Sequence, residues 1–188
     1  MESNRLSVKV YAETSAPLEH FIPALHRWIR ESVLDELVID VADYGHVQEG
    51  PGVLLVGHAS DYCWDQSEGR LGVTYTRKRD APPPAERLAD AVRRALNAAR
   101  LLERERGLEG LRFKTDELLV RALDRLHAPA DAAGFAALKA ELEPLATRLY
   151  PGANVSIERE GEARDPLSAR IRASASAGSV DELFSRIG

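Results

Sequence analysis

Reactive side chains are concentrated between residues 40 and 65. The segment contains carboxylates, imidazoles, a thiol and aromatic rings, carried by Asp40, Asp43, Tyr44, His46, Glu49, His58, Asp61, Tyr62, Cys63, Trp64 and Asp65. Functional sites often form in loops at strand ends, because the sheet holds such loops while their side chains stay accessible. The candidates for catalysis are therefore Asp40, Asp43, His46, His58, Asp61 and Cys63.

A metal site is one chemistry that this segment suggests. His46 and His58, together with nearby aspartates, offer the imidazole and carboxylate ligands that zinc, iron or manganese takes. The spacing includes neither a His-x-x-x-His pair on one helix face nor the paired cysteines of a zinc site. The competing interpretation, which we favour, is that these side chains hydrogen-bond locally within loops.

A cysteine nucleophile is a second chemistry for the same segment. Cys63 follows His58 closely enough for the two side chains to meet within a loop. A thiol reacts as its thiolate, and a neighbouring base such as His58 favours that form. Tyr62 and Trp64 flank the cysteine, however, which indicates a small buried apolar residue instead. We favour this second interpretation, because a lone cysteine carries no local catalytic signature.

Glycines in the segment raise the question of phosphate binding, because glycine lets backbone amides approach an anion. Gly45 and the run Gly50-Pro51-Gly52 match neither a dinucleotide-binding fingerprint nor a Walker loop. Pro51 also removes one amide donor. A turn leading into Val53 explains the run more simply. We therefore expect no cofactor.

Basic residues cluster in the segment 84–106 and in the run Arg77-Lys78-Arg79, where an acidic partner or RNA would bind. Acidic residues are interspersed along the segment, which favours a solvated helix face. The chain has a formal net charge of −5 and a sequence pI of about 5.6. Dedicated nucleic-acid binders usually carry a basic surface. The charge therefore argues against a nucleic-acid partner.

The composition is that of a globular protein. The chain has 188 residues, of which 44% are hydrophobic and 29% charged. Its one cysteine excludes an internal disulfide and a multi-cysteine zinc site. We find neither a secretory leader nor an apolar run long enough to span a membrane, so we expect a soluble cytoplasmic protein. Abundant Ala, Arg and Leu suggest a bacterial source.

Hydrophobic periodicity predicts alternating strands and helices. The expected strands cover residues 6–11, 34–39, 53–56, 71–77, 111–126, 155–157 and 167–171, and the expected helices cover 18–29, 84–106, 135–149 and 180–187. The first helix contains Pro23, so it either starts near Glu19 or bends at the proline. The continuous apolar run at 53–56 predicts a central strand that is buried on both faces. Residues 116–126 fit a strand or a helix, and we favour the strand.

This order of elements predicts the fold class α/β, built as an α+β sandwich. Two consecutive strand-helix-strand-strand-helix units, residues 1–108 and 109–188, would form mixed or antiparallel sheets with helices packed on them. The units are either two small domains or one continuous domain. The similar order reflects either an ancient duplication or the commonness of such units.

The strand prediction also divides the reactive segment. No helix separates strand 34–39 from strand 53–56, so the two strands are expected to be antiparallel neighbours. Asp40, Asp43 and His46 would then lie at one end of the sheet, and His58, Asp61 and Cys63 at the other. A single site formed from His46 and His58 becomes the less favoured interpretation.

The leading functional hypothesis is a non-catalytic binding or assembly module, because no strong catalytic motif is present. Its partner would be a second copy in a homodimer, supported by the alanine-rich helices, or another protein, and not a membrane. The alternative is a small enzyme, such as a metal-dependent hydrolase, which uses His46 or His58 with an aspartate. A third hypothesis, a domain that senses a small ligand, is not separable from the first by sequence.

Overall fold

The described part of the chain forms an α+β structure in which four helices lie against one face of a broad sheet. A computed structural model describes residues 3–47, 50–162 and 164–188. Within these residues the elements, in chain order, are β1 (Leu6–Ala12), α1 (Leu18–Glu31), β2 (Val38–Tyr44), β3 (Gly52–Gly57), β4 (Ser60–Asp65), β5 (Gly72–Arg77), α2 (Arg87–Glu103), β6 (Phe113–Ala122), α3 (Ala132–Leu149), β7 (Val155–Glu160), β8 (Leu167–Ala173) and α4 (Val180–Ile187). A short 3-10 turn, Ser67–Gly69, lies between β4 and β5.

The eight strands of the described residues belong to a single sheet with the order β2-β3-β4-β5-β1-β6-β8-β7. Every pair of neighbouring strands in this part of the chain is antiparallel, so the expected mixed pairing is absent there. The central β1–β6 pair joins the strands of residues 1–108 to those of residues 109–188. The division into two domains at this boundary stays a prediction.

Alternation along β1 explains how the sheet is built. Leu6, Val8 and Val10 point toward the helices and belong to the hydrophobic core. Lys9 and Tyr11 point to the opposite face, which no described helix covers, yet their exposed fractions are only 0% and 1%. This opposite side is called the uncovered face below. The sequence predicts a half-buried strand, but both sides of β1 are buried.

The helices follow the predicted apolar periodicity closely. Helix α1 begins at Leu18 and buries Phe21, Leu25 and Trp28, so it starts near Glu19 as one alternative predicted, with Pro23 inside it. Helix α4 begins after Ser179, whose side chain accepts a hydrogen bond from the Glu182 amide as a helix cap. Across the described ranges, none of the helices combines the length and apolarity that a bilayer span requires.

Three strand predictions need correction. Strand β2 covers 38–44 rather than 34–39, because Asp35 and Glu36 take part in ion pairs before the strand begins. Strand β4, residues 60–65, was expected to be loop. Strand β3 is second from the edge, next to β2, and its Leu54 and Val56 are only partly buried, so it is not a central strand. The strand interpretation of residues 116–126 is confirmed for 116–122 by β6, whereas residues 123–126 follow the strand and do not belong to it.

Candidate functional site

Most of the candidate residues lie on strands rather than in loops. Asp40 and Asp43 belong to β2, and Asp61 and Cys63 belong to β4. His46 lies in the connection between β2 and β3, and His58 lies in the turn between β3 and β4. The loop interpretation of residues 40–52 and 58–65, on either side of the predicted strand 53–56, is therefore wrong where β2 and β4 lie. Glu49, which is part of the same segment, lies outside the described residues.

The two histidines lie at opposite ends of β3. The sequence predicts that β2 and β3 are antiparallel neighbours, and this is confirmed. The predicted division of the aspartates between the two ends of the sheet is wrong for Asp40, because Asp40 and Asp61 both lie opposite Val56. Strand β3 has six residues, and such a strand is about 20 Å long. A search of the described residues finds no group of three His, Cys, Asp or Glu side chains that could hold a metal ion. The geometry therefore gives no support to a metal shared by His46 and His58.

The candidate aspartates take part in local bonds. Asp40 Oδ1 accepts a hydrogen bond from the Val41 amide at 2.8 Å, and Asp43 Oδ1 accepts one from the Gly45 amide at 2.8 Å. Asp61 Oδ1 accepts from the Gly57 amide at 3.2 Å and lies 2.7 Å from Lys78 Nζ. These contacts agree with local hydrogen bonding, the interpretation that we favoured from sequence. The catalytic assignments stay predictions.

Cys63 lies on the uncovered face and is itself buried. Its thiol donates a hydrogen bond to the Pro51 carbonyl. Burial, and then the negative charge of Asp65, raises the pKa of the Cys63 thiol well above its ordinary value. The protonated form is therefore favoured near neutral pH, whereas a nucleophile needs the thiolate.

Slow thiol chemistry is the expected consequence. We expect Cys63 in the folded protein to react with dithiobis-nitrobenzoate at least about a hundredfold more slowly than in the urea-unfolded chain. Stopped-flow absorbance at neutral pH measures both rates. A folded protein that reacts as fast as the unfolded chain would restore Cys63 as a nucleophile candidate.

Ion pairs across β6 and β8 occupy the uncovered face, and sequence analysis did not find them. The Glu117 carboxylate on β6 accepts two hydrogen bonds from the guanidinium of Arg70, at 2.8 and 2.7 Å. It accepts another from Arg170 on β8 at 2.6 Å. Arg172 lies 3.4 Å from the same carboxylate. Arg170 also bonds Glu160 on β7. The arginine bonds, of which those from Arg70 contribute most, lower the pKa of Glu117 to about 2.

The connection between β4 and β5 folds over the part of this face around Lys9 and Tyr11, and both residues are buried. Lys9 Nζ lies 3.0 Å from Asp65 Oδ2 and donates to the Ser67 carbonyl at 3.2 Å. The Arg70 guanidinium lies 3.6 Å from the centre of the Tyr11 ring, a cation–π distance. The cations and carboxylates of this network pair with one another, so these particular residues offer no unpaired charge to a ligand.

Two of the concave surfaces in the described part of the molecule lie elsewhere. A groove of about 410 Å³ separates the start of α2 from α3 and is lined by Leu88, Pro144 and Leu145 among others. A polar cleft of about 390 Å³ lies between the start of β6 and the loop before α4, with Lys114 and Asp116 in its wall. Neither is lined by a residue of the segment 40–65, so the reactive segment does not surround either space.

The edge strand β2 is the most unusual part of the surface. Six large apolar side chains are exposed among the described residues, and five of them lie on β2 or on the segments that flank it: Val33, Leu37, Ile39, Tyr44 and Val47. The exposed fractions of Leu37 and Ile39 reach 68% and 57%. These five residues together with β2 are called the β2 edge below. Exposed apolar groups of this kind mark interaction surfaces.

The opposite edge strand, β7, has a different character. Glu158 pairs with Arg172 on β8, Glu160 bonds Arg170, and Arg159 donates to the Ala130 carbonyl. Paired charges along an edge strand protect it against contact with another chain. Sequence analysis missed this contrast, although Leu37 and Ile39 lie among the acidic residues of the segment 35–43 and were visible there as a signal.

No protein-family model, curated protein or solved structure matches this chain. The functional inference therefore rests on the geometry of the molecule.

Proposed function

We propose that this protein is a non-catalytic binding module, and that a partner protein adds a strand to its sheet along the β2 edge. The observation that carries the proposal is the concentration of exposed large apolar side chains at this edge. An edge strand presents unpaired backbone donors and acceptors, and a partner strand satisfies them while burying neighbouring apolar side chains. Such binding requires no catalytic group and no cofactor.

The other surfaces of the molecule support the choice of this edge. The ion pairs of the uncovered face are satisfied internally, and the β7 edge is protected by paired charges. Removing Leu37 and Ile39 from water on binding would contribute most of the affinity, because apolar burial yields about 25 cal/mol per Å². The proposed partner is another protein.

Photochemical crosslinking in the producing cells tests the proposed function. A photoreactive amino acid at position 39 is expected to give an adduct with a partner, whereas the same group at position 126 gives none. Leu126 is the matched control, because it is exposed but lies in the loop between β6 and α3. Mass spectrometry identifies the crosslinked segment, which is then synthesised.

Direct binding of that synthetic segment decides the result. We expect the double variant Leu37→Ser/Ile39→Ser to bind it at least about tenfold more weakly than the parent protein, since tenfold corresponds to about 1.4 kcal/mol of lost apolar contact. The variant Leu126→Ser should bind like the parent. Equal adducts at positions 39 and 126, or unchanged binding by the double variant, would refute the proposal.

A further inference from the structure

We infer that the segment that pairs with β2 is an extended basic strand, with one lysine or arginine opposite Asp40 and another opposite Asp43. The inference rests on the proposed function, because it names the chemistry of the partner at that same edge. It follows from the carboxylates of Asp40 and Asp43, which form no ion pair within the described residues, and from their positions on opposite faces of β2.

The carboxylates of β2 have no ion-pair partner anywhere in the described ranges. Asp40 and Asp43 accept hydrogen bonds from the Val41 and Gly45 amides, which are uncharged. Neither β2 nor its neighbour β3 contains a lysine or an arginine. On β7, by contrast, the carboxylates of Glu158 and Glu160 both pair with arginines of β8. The negative charge of the β2 edge therefore remains available to a partner.

The register of β2 sets the spacing that the partner requires. Asp40 lies opposite Val56, on the uncovered face, and Asp43 lies opposite Val53, on the face that carries the helices. Residues three apart on a strand point to opposite faces, because side chains alternate. An antiparallel partner therefore places basic residues at positions three apart. Opposite charges that face each other across adjacent strands stabilise the pairing.

A second copy of this chain is the less suitable occupant. Pairing of β2 with β2 would place Asp40 and Asp43 of both copies on one two-stranded ribbon, and β2 has no cation to offset them. Like charges on adjacent strands are destabilising. The Val41 amide also donates a hydrogen bond to the Asp40 carboxylate. An incoming strand binds more tightly when it carries a cation that pairs with this carboxylate, because the Val41 amide is then free to bond the backbone of the strand.

Binding of two designed peptides tests the inference with the full chain. The probes are the capped peptides Thr-Val-Lys-Val-Thr-Lys-Val-Thr and Thr-Val-Glu-Val-Thr-Glu-Val-Thr, each carrying a fluorophore and measured by anisotropy in low salt. We expect the lysine peptide to bind at least about tenfold more tightly, with the difference shrinking in high salt because screening weakens exposed pairs. A lysine peptide with N-methylated backbone amides is expected not to bind.

Protein variants locate the effect. The double variant Asp40→Lys/Asp43→Lys is expected to prefer the glutamate peptide, and Asp40→Asn/Asp43→Asn is expected to bind both peptides equally while keeping the Asp43 turn. The matched control is Glu158→Lys on β7, which should keep the parent preference. Thermal unfolding shows that each variant is folded before binding is measured.

The outcomes separate the inference from the proposed function. Equal binding of both peptides by the parent protein, abolished in Leu37→Ser/Ile39→Ser, would leave the proposed function standing and overturn the charge inference. If the variant Asp40→Lys/Asp43→Lys still prefers the lysine peptide, the peptide binds at a site other than the β2 edge, and the charge inference is also overturned. Failure of both peptides to bind, with homodimers that dissociate in Leu37→Ser/Ile39→Ser, would overturn it in favour of a second copy.

Discussion

We expect the substitution Glu117→Ala to lower the free energy of unfolding by about 3 kcal/mol, because it leaves the buried guanidinium of Arg170 and the partly buried one of Arg70 without their carboxylate. Glu117 holds Arg70 and Arg170 together, and its side chain is only 8% exposed. Chemical denaturation followed by tryptophan fluorescence measures the loss. The matched control is Glu158→Ala, whose pair with Arg172 is solvent-exposed and should contribute less than about 1 kcal/mol.

The stabilisation by Glu117 is also expected to depend on pH. Its pKa falls from the usual 4.5 to about 2 in the folded protein, chiefly through the bonds from Arg70. A carboxyl with a lowered pKa contributes stability that is fully present above its unfolded value. That contribution is lost as the pH falls from 4.5 toward 2. The difference between parent and Glu117→Ala should shrink over this window, and a constant difference would contradict the account.

Glu117→Ala also tests whether the lysine peptide binds at the β2 edge or on the uncovered face. Its network lies on β6 and β8, whereas the β2 edge is at the far end of the sheet. At neutral pH, where the variant is still folded, we expect it to bind the lysine peptide like the parent protein. A large loss of affinity would show that the uncovered face, rather than the edge, takes the ligand.

The second large effect is expected for Glu36→Ala, which removes the group that anchors the chain just before β2. Glu36 Oε2 accepts hydrogen bonds from Ser60 Oγ at 2.6 Å and from Tyr62 Oη at 2.7 Å. Its Oε1 lies 3.4 Å from Arg77 and 3.2 Å from Arg94 without a well-directed hydrogen bond. We expect the free energy of unfolding to fall by about 3 kcal/mol, because hydrogen bonds to a buried charge are among the strongest in proteins.

A matched pair of variants checks the cause of that loss. Glu36→Gln keeps an acceptor for the two hydroxyl groups but loses the charge, so it should cost less than Glu36→Ala. Hydrogen exchange at residues 37–40 should accelerate more in the alanine variant, because the segment leading into β2 loses its anchor. Equal costs for both variants, or no local acceleration, would show that Glu36 does not position the edge.

Local patterns were sufficient to predict most of the elements. The apolar periodicity of Phe21, Leu25 and Trp28 predicts α1, and the alternation of Leu118 and Val120 predicts β6. These signals depend on neighbours in sequence, and they mark which side of each element enters the core. The α+β class follows from the order of these elements.

Strand β4 shows why the site was harder to predict than the fold. Ser60, Tyr62 and Trp64 alternate with Asp61, Cys63 and Asp65, which is a strand pattern, but aspartate is rare in strands and suggested a loop. The structure tolerates both aspartates because distant lysines pair with them: Lys9 binds Asp65 and Lys78 binds Asp61. Pairings over such distances in sequence leave no local signal.

The same limit applies to the uncovered face and to the β2 edge. Arg70 and Arg170 lie 47 and 53 residues from Glu117 in sequence, so nothing in a local window connects them. Whether Leu37 and Ile39 are exposed depends on β2 being the last strand of the sheet, a property of strand order rather than of composition. A single sequence marks strands well but does not mark which strand lies at the edge.

Amide hydrogen exchange of the protein, with and without the lysine peptide, tests the β2 edge most directly. Strand addition predicts slower exchange for amides of residues 38–44 when the peptide is bound, with unchanged exchange in β7, residues 155–160. The effect should disappear in Asp40→Lys/Asp43→Lys. Unchanged exchange along β2 under saturating peptide, or protection on β7 or the uncovered face instead, would contradict the account.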